Sequence, residues 1–275
     1  MPPQSNLDLP KIPDPKQLAQ KYDLIAKKAL GQNFLFDLNI TRRIVDYCGD
    51  LSKLNIIEVG PGPGGLTAAI AEASPASLTC IEFDERAVKA LAEYGVRAKI
   101  VQADALHTDL RELTPAPRAI IANLPYNIGS KLLTNWLYQS ADYEFFCLMF
   151  QKEVAERIVA QSGDTNFGRL AIFTQVFCHA EILFDLPPEA FSPPPKVTSS
   201  VIMLRPHRKQ IDVDLKKLER VTQVAFGQRR KMLRGSLKQI LPDVEKTLTE
   251  LDINPQSRAQ ELTIEDYVKL AKAIN

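Results

Sequence analysis

The chain has 275 residues, 45% of them apolar and 24% charged, with a formal net charge of +1. This is an ordinary globular composition without repeats or low-complexity tracts, long enough for one large domain or two smaller ones. A balance so close to neutral excludes nucleic-acid binding through a global field, so any such binding must rest on local basic patches.

The four cysteines, Cys48, Cys80, Cys147 and Cys178, are far apart, form no Cys-x-x-Cys pair, and are joined by three isolated histidines. No metal centre or disulfide framework is expected, and buried free thiols in a reducing compartment are the better reading. No apolar stretch is long enough to span a membrane. The first fifteen residues hold five prolines and two aspartates, and the first arginine is Arg42. That pattern reads as a flexible tail rather than a secretory or transit peptide. A cytoplasmic protein is expected, and nothing demands more than a monomer.

After the tail, Leu18 to Ala29 reads as a basic-flanked helix, and Gly31-Gln32-Asn33-Phe34-Leu35 as a loop with anchored side chains. Ile40 to Cys48 has helical spacing, with Thr41 as its cap. Asn55 to Val59 reads as a strand that runs into Gly60-Pro61-Gly62-Pro63-Gly64-Gly65-Leu66-Thr67, where glycines let the backbone turn and approach a ligand. A second strand, Leu78 to Ile81, ends in Glu82, placed for the hydroxyls of an adenosine ribose. Gly60, Gly62 and Gly65 satisfy a dinucleotide pattern, which brings nicotinamide and flavin enzymes into question. Pyrophosphate binding uses backbone N–H groups at the helix start, and Pro61 and Pro63 have none to give. S-adenosylmethionine, which carries no phosphate, suits such a loop.

A third strand, Ala98 to Gln102, leads to Asp104, which reads equally well as an acceptor for an adenine amino group or as a helix cap. A fourth, Arg118 to Ala122, leads into Asn123-Leu124-Pro125-Tyr126. Glu82, Asp104 and Asn123 thus stand at successive strand tips, where open α/β sheets place their reactive groups. The tetrad offers an amide, backbone carbonyls and an aromatic face. Such a set accepts hydrogen bonds from an amino group while the ring bearing that amine stacks on Tyr126.

Ile128 to Gln139 reads as a helix, Phe145 to Phe150 as an apolar strand, and Val154 to Gln161 and Gly168 to Phe177 as helices. Between Glu181 and Arg205, two strand-like runs flank a proline-rich connection that carries Phe191. That ring reads either as a second stacking surface or as a plug over the core. From Leu215 the pattern is helical only, over Leu215–Phe226, Lys231–Ile240, Val244–Leu251 and Ile264–Ile274, with Thr263 and Asp266 as a capping box for the last. Between Arg220 and Pro242 stand six cations and no acid, which favours a phosphate-binding surface.

These segments together resemble the ribosomal RNA adenine dimethyltransferase family, over nearly everything from about Lys27 to the end. The resemblance rests on Gly31 to Leu35, Glu58 to Thr67, Asn123 to Tyr126, Phe191 to Val197 and Phe226 to Arg234. It implies an α/β fold, a Rossmann-like S-adenosylmethionine-dependent methyltransferase sheet over 16–208, followed by a small all-helical RNA-binding domain over 209–275. It also implies transfer of methyl groups to N6 of two adjacent adenines in a hairpin loop near the 3′ end of small-subunit (16S) rRNA, within an assembling subunit. Asn33, Leu35, Gly60, Gly62, Glu82, Asp104 and Asn123 are then expected at the cofactor. Asn123 and the Pro125 carbonyl would hold the amine, Tyr126 would stack on the base, and Phe191 would close the opposite face. Arg229, Arg230, Lys231, Arg234 and Lys238 are expected to meet RNA. Other substrates with a planar NH2 group, DNA adenine or a protein glutamine, stay open, as does a mainly non-catalytic role in ribosome assembly.

Overall fold

The computed structural model describes residues 14–24, 32–93, 95–209 and 211–274. Its contacts divide the chain into two compact units: Met1–Asn135 with Asp142–Lys152 and Leu183–Met203, and Trp136–Ala141 with Glu153–Ile182 and Leu204–Asn275.

The first unit holds most of the strand residues, with 178–182 and 204–206 falling in the second. In chain order the strands are β1 (Phe34–Leu35), β2 (Asn55–Val59), β3 (Ser77–Glu82), β4 (Lys99–Gln102), β5 (Arg118–Asn123), β6 (Phe146–Gln151), β7 (Cys178–Leu186), β8 (Phe191–Ser192) and β9 (Ser199–Pro206). Seven form one sheet in the order β4-β3-β2-β5-β6-β9-β7, and β1 and β8 form a separate antiparallel ribbon. The pairs β3/β4, β2/β3, β2/β5 and β5/β6 are parallel. Strands buried on both faces need near-continuous apolar sequence, and Ile56, Ile57, Ile120, Ile121 and Phe146 are completely buried. On the sheet edge, β4 is only partly covered. The chain order reverses between β2 and β5, and the crevice outside the carboxyl ends at such a switch point is the ligand site of open α/β sheets. All four cysteines are free and buried.

Local chemistry moves several helix boundaries. The first helix is Pro15–Lys21, opened by Asp14, whose side chain accepts from Lys16 N at 2.9 Å. Asp14 and Pro15 therefore belong to this helix rather than to a tail. Residues 1–13 and 25–31 lie outside the described residues, and with them the rest of the expected tail, the end of the Leu18–Ala29 helix and Gly31. The next helix is Leu38–Asp46 and is capped by Asp37, not Thr41. Thr41 is fully buried and its hydroxyl returns to Leu38 O, one turn back.

The second unit is mainly helical, with Arg169–Phe177, Leu215–Gly227, Leu233–Ser236, Val244–Glu250 and Ile264–Ala273 among its elements. Phe226 joins its core, with ring centroids 6.4 Å from Phe167 and 6.0 Å from Tyr267. Tyr267 is completely buried and its hydroxyl is satisfied by Ala259 O at 2.6 Å. The capping box at Thr263 and Asp266 is formed in both directions. The expected helix over Lys231–Ile240 is instead one α turn, Leu233–Ser236, followed by a 3₁₀ turn, Leu237–Gln239. Met232 supplies no capping side chain, its extended backbone bridges to Arg258, and Gly235 weakens the middle of the segment. Among the described residues no helix is long and apolar enough to cross a membrane.

Candidate active site at the strand tips

Two adjoining clefts, with about 620 and 790 Å3 of empty space, lie over the carboxyl ends of β2, β3 and β5. Gln32, Gly60, Glu82 and Pro125 line both. The first is further walled by Asn33, Leu35, Gly62, Asn123 and Tyr126, and the second by Asp104. The structure thus gathers all the expected cofactor residues, Asn33, Leu35, Gly60, Gly62, Glu82, Asp104 and Asn123, around one crevice.

Close packing shapes the glycine loop. Gly62 has φ +53°, and a Cβ there would meet the Phe34 ring at 2.9 Å. Gly65, at the start of the helix Gly65–Glu72, lies so close to β1 that a Cβ would fall 2.0 Å from Leu35 O. The loop and the ribbon therefore meet backbone to backbone at the cleft wall.

Glu82 is 5% exposed, and its carboxylate accepts from Gly62 N at 3.0 Å, Phe83 N at 2.8 Å and Asp84 N at 2.9 Å. Burial raises its pKa, although those three N–H groups pull the other way. Glu82 thereby fastens the glycine loop to the tip of β3 as well as facing the clefts. Asp104 is more open. Leu106 N–H at 2.9 Å and the His107 ring at 2.8 Å hold its carboxyl below the usual range. It forms a turn of its own, and Asp109 caps the following helix, Leu110–Leu113, so the capping alternative for Asp104 is not realised.

Asn123 ends β5, and its amide nitrogen donates to Asn33 O at 2.9 Å. With the nitrogen committed, Oδ1 is the atom left to accept. Tyr126 is half-buried, and its hydroxyl pairs with the Ser199 hydroxyl at 2.5 Å. Two expected roles change. The Pro125 carbonyl accepts from Ile128 N at 3.2 Å and Gly129 N at 2.9 Å, so both its lone pairs go to starting the helix Gly129–Leu137 rather than to a substrate. Phe191 is 3% exposed within the hydrophobic core, and its strand β8 pairs Leu35 of β1. Of its two readings, the ring is the plug over the core.

Sequence reasoning passed over several lining residues. Phe83, 68% exposed, together with Leu106 and Ile128, gives the second cleft apolar walls. The position of Phe83 directly after Glu82 was the available signal. Glu58, 1% exposed, lies at the bottom of the first cleft. Burial pushes its pKa from 4.5 up to about 8, against the opposing influence of Thr67 and of Cys80, whose Sγ lies 3.7 Å from Oε2. Between those pH values the folded protein keeps a proton that the unfolded chain has released. This group's contribution to stability therefore declines as pH rises through that window. Thermal melts at about pH 5 and about pH 9 should differ less for Glu58→Gln than for the wild type. An identical pH dependence in the two proteins would contradict a buried neutral acid.

The donor set fits a particular kind of cofactor. Glu58, Glu82, Asp84 and Asp104 line the clefts, and among the described residues no lysine, arginine or histidine does. Pro61 and Pro63 withdraw two N–H groups from the loop. Glu82 and Asp104 offer acceptor oxygens that suit ribose hydroxyls and an adenine amino group, whereas a loop short of two N–H groups has little with which to hold a pyrophosphate. The crevice fits S-adenosylmethionine and is poorly suited to a dinucleotide.

Arg229, Arg230, Lys231, Arg234 and Lys238 are all exposed, as is Arg220. Arg229 also donates to Thr165 O, and Arg234 lies 3.4 Å from Glu245. No ion pair links Arg230, Lys231 or Lys238 to another described side chain at salt-bridge distance.

Comparison with known proteins agrees with this geometry. Residues 24–275 match the model of a family described as ribosomal RNA adenine dimethylase. The chain is 48% identical over 272 residues to the ribosomal RNA small subunit methyltransferase A of Agrobacterium fabrum, covering 96% of this chain and 98% of that protein. It is 47% identical over 270 residues to the protein of the same description from Rhizobium meliloti, with the same coverage. Among solved structures, a dimethyladenosine transferase from Plasmodium falciparum superposes with a TM-score of 0.76 at 24% identity, over 86% of this chain and 95% of that one. The 23S rRNA methyltransferase ErmE does so with a TM-score of 0.66 at 24% identity, over 88% of this chain and 99% of its own. These two likenesses concern the fold. The family model and the close relatives concern the whole sequence, and on them the chain belongs to the ribosomal RNA adenine dimethylase family.

Proposed function

We propose that this protein dimethylates N6 of two adjacent adenines in a hairpin loop near the 3′ end of small-subunit rRNA, in an assembling subunit, acting as a monomer in the cytoplasm. The observation that carries the reading is Asn123. Its amide is fixed by Asn33 O, so that an oxygen acceptor stands at the tip of β5 beside the Tyr126 ring.

S-adenosylmethionine, when bound, supplies the methyl group as an electrophilic carbon on a sulfonium. Glu82 would take the ribose hydroxyls, Asp104 the adenine amino group, and the loop from Gly60 to Gly62 the approach of the backbone. The nitrogen of a target adenine is a poor nucleophile, because its lone pair is delocalised into the ring. Asn123 Oδ1 accepts one of its hydrogens. With the Pro125 carbonyl occupied, the Leu124 carbonyl, whose residue lines the same cleft, is the second acceptor. Two acceptors on the amine favour a pyramidal nitrogen with its lone pair directed at the methyl carbon. Tyr126 stacks on the base, which must leave its own stack to enter. Catalysis is then chiefly alignment, and the alkylated nitrogen sheds its proton without a strong base. For the second methyl transfer one hydrogen bond is given up.

The exposed cations from Arg229 to Lys238 would hold the RNA backbone. Replacing Arg230, Lys231 and Lys238 together by alanine is expected to weaken RNA binding and to make its dependence on log salt shallower by about two to three. Filter binding across a salt series measures both, and an unchanged slope removes these residues from the interface. The substrate is tested by offering methyl-labelled S-adenosylmethionine with undermethylated small ribosomal subunits, adenine-containing duplex DNA or a glutamine peptide. Label in the subunit RNA alone is expected. Label in DNA or peptide would redirect the reading to another planar amine. No label anywhere, with subunits still bound, would favour a non-catalytic assembly role.

A further inference from the structure

Tyr126 carries a hydroxyl that the stacking role does not use. That hydroxyl is bonded to Ser199, a completely buried residue at the start of β9. The strand around Ser199 is itself held. The neighbouring Thr198 carbonyl accepts from Lys152 N at 2.9 Å, and the Ser200 hydroxyl lies 2.7 Å from Asp185 Oδ1. Asp185 is in turn 2.6 Å from Lys152 Nζ. A hydrogen bond at the far end of a tyrosine cannot stop the ring from turning about its own axis, but it fixes where that axis points. With Asn123 anchored at Asn33 and Tyr126 anchored at Ser199, the acceptor and the stacking face are held by different elements, and their separation is set by the scaffold.

We propose that Ser199 is a positioning residue for methyl transfer, setting the axis of the Tyr126 ring through its hydroxyl so that a base stacked there presents its amine to Asn123. The inference rests on the reading of Tyr126 as the stacking face for the target base. The bond connects only these two side chains in this role, so removing either end should have the same effect. A scaffold that must place reacting atoms closely converts a small loss of tethering into a rate loss.

The test is a double-mutant cycle on the full chain, with Tyr126→Phe, Ser199→Ala and the pair. Single-turnover methylation of undermethylated small subunits is measured beside the affinity for S-adenosylhomocysteine. Each single variant should lose about three- to tenfold in rate, the worth of one net hydrogen bond, with analogue affinity unchanged. The double variant should be no slower than the slower single one, because the second change has nothing left to remove. Losses that multiply in the double variant, or a single variant at the wild-type rate, overturn the proposal and leave the functional reading intact. If Ser199→Ala does not fold, Tyr126→Phe breaks the same bond from the half-buried side, and wild-type activity there is equally decisive. A wild-type protein that binds the analogue yet methylates no RNA overturns the functional reading, and this proposal with it.

Discussion

Asn123→Ala is expected to lower the single-turnover rate of methyl transfer by about two to three orders of magnitude, the usual cost of deleting one preorganised polar group from a transition-state site. The side chain works at both ends. Its nitrogen ties the tip of β5 to Asn33 O, and its oxygen is the acceptor for the amine. Alanine removes both, so some cofactor affinity should be lost with the tether, but far less than the loss in rate. Asn123→Asp separates the two contributions. A carboxylate keeps an acceptor but sets oxygen against the Asn33 carbonyl, so the anchored geometry cannot re-form and activity should stay low. Thermal melts and binding of S-adenosylhomocysteine serve as controls for folding and for the cofactor crevice. Undiminished transfer in Asn123→Ala would refute the proposed chemistry.

Gly65→Ala should be the most damaging single methyl group that can be added near the crevice. Its Cβ would lie 2.0 Å from Leu35 O, a backbone atom in the β1 ribbon, and no side-chain rotation can relieve that contact. The ribbon and the helix Gly65–Glu72 must separate, at a cost of about 1–3 kcal/mol or more for forced overpacking. Because Gly65 and Leu35 both line the first cleft, affinity for the cofactor should fall at least about fivefold with a loss of that size. Gly227→Ala is the matching control. Nothing lies within 4 Å of a Cβ there, and alanine is the better helix former by about 1 kcal/mol at most, so that variant should melt at or slightly above the wild-type temperature. Equal melting of Gly65→Ala and wild type would contradict the close approach of loop and ribbon.

The sequence made the crevice legible because its parts are local. A short apolar run ending in a polar residue marks a strand tip, and this happens at Glu82, near Asp104 and at Asn123. The parallel order of β2, β3 and β5 then brings those tips together. What stayed hidden depends on distant partners or on hydrogen-bond accounting. The β1 and β8 strands have two residues each and no periodicity, and each exists only through the other. That pairing places Phe191 in the core, a choice its proline-rich surroundings left open. Pro125 looked like a donor-free residue with a carbonyl to offer, but two N–H groups of the following helix turn occupy it. Ser199 carries no motif of its own and gains its role only from the tyrosine across the fold. In the basic segment the charge pattern was plain, whereas the break at Leu233–Ser236 follows from an uncapped start and a glycine.

The most direct measurement follows the fate of the methyl group. Undermethylated small ribosomal subunits are incubated with the protein and S-adenosylmethionine tritiated in the methyl group, and the RNA is then digested to nucleosides and separated. Label recovered as N6,N6-dimethyladenosine is the predicted result, and it joins reaction, acceptor atom and cofactor in one product. Label confined to another nucleoside, or none in RNA while the cofactor still binds, would contradict the account.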